Sequence, residues 1–116
     1  MYTTREAARI AGAKFRNVDY WAKTGVATAS VPARGTGSDR LYSYEDLFVL
    51  YAMAKLADDT SIATRKEIGR SLRESGWIAD PKCEFFTVEI SPCVEIWLNL
   101  KRIREAILTG LSAIAT

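Results

Sequence analysis

The chain has 116 residues, 48% of them hydrophobic and 26% charged, with 16 Lys and Arg against 14 Asp and Glu. That is the size and composition of one ordinary globular domain, neither disordered nor collagenous. Its apolar runs fall short of the ~20 residues a bilayer span needs, and the early Arg5, Glu6 and Arg9 are unlike a secretory signal, so no membrane partner is expected.

The chain has no histidine and two cysteines, Cys83 and Cys93. Histidine-based acid–base chemistry, Ser-His and Cys-His triads and most zinc sites are thereby removed. No acidic pair stands out as catalytic, and Gly35-Thr-Gly37 lacks the glycine pattern of a phosphate loop. The expectation is a non-enzyme without cofactor or metal, in a reducing cytoplasm.

Charge is unevenly spread. Residues 1–42 carry seven Lys and Arg against three acids, whereas the remainder carries nine against eleven. A basic front end on a slightly acidic remainder suits a polyanionic partner, though solvated surfaces reach such an excess by chance as well.

In chain order, Thr3 or Thr4 can cap a short helix ending near Ala11, with Gly12 as its stop. A second helix is predicted from about Lys14 to Lys23, with Phe15, Val18 and either Trp21 or Ala22 facing inward and Gly25 closing it. Two short helices around a glycine turn outline a helix-turn-helix. Residues 26–31 and 40–42 read as the arms of a β-hairpin with a Gly-rich tip, the alternative being a disordered loop.

Ser43-Tyr44-Glu45-Asp46 resembles a capping box with Asp in place of Glu. The helix it opens carries Leu47, Leu50, Tyr51 and Ala54 on one face and runs to about Ala57. Thr64-Arg65-Lys66-Glu67 is a second capping box, with an earlier start at Thr60 or Ser61 also open; the helix carries Ile68 and Leu72 and stops at Gly76.

Residues 84–90 and 94–98 form a second hairpin. A three-residue loop, Ser91-Pro92-Cys93, pairs Ile90 with Val94, Val88 with Ile96 and Phe86 with Leu98, leaving one face wholly apolar. A two-residue loop would mix the faces, so burial selects the longer one. In that register Cys83 and Cys93 are not cross-strand partners, and Trp97 falls on the polar face, while Trp21 and Trp77 read as core. Asn99 can cap a last amphipathic helix bearing Leu100, Ile103, Ile107, Leu108, Leu111 and Ile114.

On the second helix, Lys14, Arg16, Asn17 and Tyr20 are left outside the inward set. Arg reads guanine bidentately, Asn reads adenine, and Lys and Tyr suit phosphates. The same residue types are common on any solvated helix.

The ordered series Tyr2-Thr-Thr-Arg-Glu-Ala-Ala-Arg-Ile-Ala-Gly, Arg16-Asn-Val-Asp-Tyr-Trp, Gly25-Val and Arg40-Leu-Tyr-Ser-Tyr-Glu-Asp-Leu resembles the winged helix-turn-helix domain of MerR-like transcription regulators over about residues 2–72. The resemblance implies a winged helix-turn-helix at 1–76; with the hairpin and amphipathic helix read from the residues at 77–116, the expected fold is α+β and mainly helical. The resemblance further implies recognition-helix contacts by Arg16 and Tyr20, wing contacts by Arg34 and Arg40, and Tyr42 touching the DNA backbone or packing the wing. Asp19 departs from the pattern, where the family usually has Arg, and would repel phosphate if it faced DNA. Two extra residues also separate the third and fourth helices.

The tail does not follow the family's long dimerisation helix and effector region. Phe86, Val88, Trp97, Leu100, Ile103, Ile107, Leu111 and Ile114 are expected to pair two copies, the alternative being that the tail folds back onto the helices at 43–75 of its own chain. The functional expectation is a DNA-binding transcription regulator, acting as a homodimeric repressor on double-stranded DNA. The alternatives are an architectural or recombination-directionality protein, an antitoxin whose tail binds a protein partner, and an interaction module whose cations are merely solvated.

Overall fold

Thr3 begins the fold twice over. Its backbone forms β1 (Tyr2–Thr3), and its side chain caps α1 (Thr4–Ala11). The Thr3 hydroxyl accepts from the Glu6 N–H at 3.2 Å and the Glu6 carboxylate accepts from the Thr3 N–H at 2.9 Å, a reciprocal box. Thr4 is buried as the first helical residue. Gly12 at φ 69° closes α1, and Gly25 at φ 79° closes α2 (Phe15–Thr24), left-handed positions that suit a residue without Cβ.

In this computed structural model, residues 1–32, 40–56, 60–76, 78, 80 and 82–115 are described. Within α2, Val18 and Trp21 are the inward pair, with Ala22 half-buried. Phe15, expected inward, is 38% exposed. As the first residue of α2 it lies beyond the core's edge, where the Arg5 guanidinium covers its ring at 4.8 Å from the centroid.

The expected first hairpin takes a different form. β2 (Leu41–Tyr42) pairs antiparallel with β1, joining Tyr2 to Tyr42 and Thr3 to Leu41. On its other side Leu41 forms one bridge to Val31, through two 3.0 Å backbone bonds. Segment 26–31 thus joins the strands by a single bridge, and the glycine-rich stretch with Arg34 lies outside the described residues.

α3 (Tyr44–Leu56) is capped by Ser43 as the spacing predicts: the Asp46 N–H donates to Ser43 Oγ at 3.2 Å, and the Ser43 N–H donates to the Asp46 carboxylate at 2.8 Å. The expectation of a single apolar face is corrected. Leu47, Phe48, Val49, Leu50, Ala52 and Met53 are all buried, because α1, α4 and α5 surround the helix, while Tyr51 and Ala54 are only half-buried. A helix apolar on all sides is a fold's centre.

α4 (Ile62–Ser75) takes its cap from Ser61, whose hydroxyl accepts from the Thr64 N–H at 3.2 Å. The earlier start therefore holds. Thr64 sits in the first turn, and Glu67 pairs with Arg70 rather than closing a box. Trp77 lies outside the described residues.

In the second hairpin, β3 (Phe85–Ser91) and β4 (Val94–Asn99) pair Phe86 with Leu98 and Val88 with Ile96, in the register that burial selects. Its tip is corrected: Ser91, not Ile90, faces Val94, and a bulge between Glu89 and Ser91 absorbs the extra residue. A two-residue turn and one bulge keep Phe86, Val88, Ile96 and Leu98 on one face, while Val94 at the tip is left 51% exposed. Asn99 Oδ1 then accepts from the Arg102 N–H at 3.0 Å and caps α5 (Leu100–Ala115).

The tail returns to its own chain. α5 packs against α1 and α3, and β3 against α4 and α5. Gly110 marks the closest approach, where a Cβ would stand 3.0 Å from the Ile10 carbonyl oxygen. One hydrophobic core therefore runs from Ala7 through α3 to Ile107, across the expected division at residue 76.

Of the residues expected to pair two copies, Phe86, Val88, Leu100, Ile103 and Ile107 are buried within their own chain. Leu111 and Ile114 pack partly against the same core. The physical reason is connectivity: β4 runs directly into α5 at Asn99, so both apolar faces reach α1, α3 and α4 without a second chain. Trp97 alone of that set is exposed, at 67%, beside Phe85 at a ring separation of 6.2 Å.

Candidate nucleic-acid interface

α2 presents its polar residues on the side away from Val18 and Trp21. Lys14, Arg16, Asn17 and Tyr20 are all exposed, Tyr20 at 48%. At helical spacing Arg16, Tyr20 and Lys23 form one stripe with Asp19 on its flank, while Asn17 lies to the other side. Lys14 occupies the cap position of α2, and its side chain makes no cap bond to the first turn. Among the described residues, Lys14 and Arg16 have no ion-pair partner.

Asp19 behaves differently from the phosphate-repelling residue its type suggests. Its carboxylate bonds Lys23 Nζ at 2.8 Å and Arg40 Nη1 at 2.6 Å. Hydrogen bonds from Lys23 and then from Arg40 hold its carboxyl below the usual range, against the smaller effect of partial burial. Arg40, whose side chain is only 14% exposed, is thus turned back onto α2 at the foot of β2. The sequence reading made Arg40 a wing contact, but here its charge is already engaged.

Tyr42 is fully buried. It packs at the β1–β2 junction and does not offer its ring or hydroxyl to a ligand, which leaves the packing half of its expected role. Burial, partly offset by Arg40, pushes its hydroxyl above the ordinary tyrosine value.

A second carboxylate, unassigned by the sequence beyond its capping bond, fixes segment 26–31. Asp46, wholly buried, accepts from the Ser30 N–H at 2.8 Å and the Ser30 hydroxyl at 2.6 Å, and pairs with Arg73 from α4. Arg73 also donates to the Thr28 carbonyl at 2.7 Å. Burial alone would raise the Asp46 carboxyl, but the bonds from Ser30 and Ser43 and the Arg73 guanidinium outweigh it and hold the group low. The available signal was an acid in an otherwise apolar helix, which must be paired if buried; its partners lie 16 and 27 residues away.

Among the described residues no helix is long and apolar enough to cross a membrane. A sequence model of the MerR HTH family of regulatory proteins matches residues 2–72. Uncharacterized HTH-type transcriptional regulators of Mycobacterium bovis and of two Mycobacterium tuberculosis strains are 43% identical to this chain over 58 residues, which is 49% of this chain and 26% of each relative. The aligned stretch thus spans about a quarter of the length of those relatives. With the match covering more than half of the sequence, helix-turn-helix and cap residues included, this chain belongs to the MerR HTH family.

Proposed function

We propose that the protein is a sequence-specific, DNA-binding transcription regulator whose helix α2 enters the major groove. The observation that carries this reading is the stripe of exposed Arg16 and Tyr20, flanked by Lys14 and Asn17, set opposite the buried Val18 and Trp21 within the matched region. Arg16 and Asn17 read base edges; Lys14 and the open first turn of α2 meet phosphate. Arg34 reaches adjacent phosphates from the loop after Val31, and Arg40 acts by holding the foot of that loop. The name shared by the mycobacterial relatives supports the regulatory role.

A single reading head offers few contacts, and pairing two copies doubles them on a two-fold site. In this reading the protein is a homodimer that represses by occupying its operator. Since α5 is spent on its own core, the pairing surface is the exposed outer face of the second hairpin, with Trp97 and Phe85.

The test is a duplex selected from a random pool by the parent protein. Arg16→Ala should weaken binding to it by roughly 1–3 kcal/mol, the worth of a bidentate base contact. Tyr20→Phe, which loses only a hydroxyl, should cost less. Parental affinity in both variants would remove α2 from the groove.

A further inference from the structure

On this DNA-binding reading, we infer that Asp19 is a specificity residue, which withholds Lys23 and Arg40 from phosphates so that binding depends on the base-reading residues of α2. Three observations carry it. Asp19 lies on the flank of the exposed stripe, between Arg16 and Lys23 along one side of the helix. Its two partners come from different elements, one from the next turn of α2 and one from the foot of β2. Arg40 is nearly covered, yet Lys23 has a side chain 64% exposed, so the carboxylate lies where a groove-bound helix would bring the cations to DNA.

The physical reason concerns what cations do on a duplex. Each phosphate contact strengthens binding to every sequence and adds about 0.9 to the salt slope. A specific complex has its pose set by base contacts and gains only the phosphates within reach of that pose. A non-specific complex can shift to collect whatever cations are free. Tying up two cations at the reading face therefore weakens the wrong complexes more than the right one. It also fixes the angle between α2 and the strand that leads out of the wing, because Arg40 is held at both ends: by its backbone next to β2 and by its guanidinium on α2.

The experiment measures binding of parent, Asp19→Asn, Asp19→Glu and Arg40→Met to the selected duplex and to a scrambled duplex of equal length, across a salt series. Asp19→Asn should steepen the salt slope by about one to two units. It should also tighten binding to the scrambled duplex by about tenfold at 0.1 M salt, narrowing the ratio between the two sites. Asp19→Glu, which keeps the charge, should restore the parental slope. Arg40→Met should leave the slope unchanged, because Arg40 touches no phosphate; a slope shallower by about one unit in that variant overturns the inference. So does an Asp19→Asn protein with the parental slope and ratio, one that loses preference at a single cytosine, or one that fails to fold by circular dichroism. A parent that binds neither duplex at any salt concentration defeats the DNA reading itself, and this inference with it.

Discussion

The interior around α3 and the exposed side of α2 each hold a carboxylate joined to an arginine from a distant segment, with opposite consequences. Asp46 is fully buried and its bonds to Ser30, Ser43 and Arg73 tie α3, α4 and the segment around Ser30 into one body. Asp19, with a side chain 25% exposed, ties α2 to the foot of β2 at the protein's surface. A fully buried pair that loses one partner leaves an uncompensated charge, whereas a partly exposed pair at the surface leaves groups that can turn toward water. Stability is therefore concentrated in the interior, and the exposed side of α2, the proposed reading face, is free to vary its charge without endangering the fold.

The largest effect that would sharpen this contrast is Ile107→Glu. Ile107 is wholly buried where α5 meets the core, so the variant places an unpaired charge there and should lose its cooperative thermal transition. Leu108→Glu, one residue along and 53% exposed, carries the same charge and should shift stability by no more than about 0.5 kcal/mol. A folded, monomeric Ile107→Glu protein would break the assignment of α5 to the intramolecular core and return it to a dimer surface.

Asp46→Asn comes next, with an expected loss of about 3 kcal/mol in urea denaturation. The pH dependence follows from the depressed folded-state value. Stability contributed by Asp46 is complete above its ordinary value of 3.8 and is lost as the pH falls through the lower folded value. The parent's acid limb should accordingly be steeper than that of the Asn variant, and parallel limbs would show that Asp46 is not what couples α3 to Arg73.

Arg34 provides an intermediate test on the other side of the comparison. Its replacement should shallow the salt slope of duplex binding by about one unit for all sequences alike, without moving the melting temperature. A change in base preference at constant slope would place Arg34 on a base edge. The smallest effect belongs to Asp19→Asn in the absence of DNA, where stability should change by less than about 1 kcal/mol. A loss as large as that of Asp46→Asn would erase the distinction between the two carboxylates.

Much of this was legible without coordinates, and the reasons are local. Gly12, Gly25, Ser43 and Asn99 act on backbone groups within a few residues, so the ends of α1 and α2 and the starts of α3 and α5 could be placed from residue types alone. The pairing of Val88 with Ile96 followed from period-two burial, which penalises a one-residue slip on every side chain at once. Exposure of Arg16 and Tyr20 followed in the same way from period 3.6 around Val18.

What the sequence by itself determined was therefore the helices, most of their caps and the buried sides of α2 and of the second hairpin, because these depend on neighbours along the chain; the pairing of β1 with β2 and the burial of α3 on several sides did not follow from it. Which surface covers each apolar face was decided only by the tertiary structure. The apolar residues of α5 and the second hairpin could be covered by a second copy, as expected, or by the chain's own helices, since hydrophobic attraction has no direction and names no partner; α1, which α5 meets, was not foreseen as cover. Gly110 against Ile10, with backbone at 3.0 Å from the position of a Cβ, resolves that choice by shape. The pairing of Asp19 with Arg40, 21 residues on, was likewise beyond local reasoning: a charge on a helix surface specifies the sign of its partner, and only the packed fold brings a particular arginine within reach.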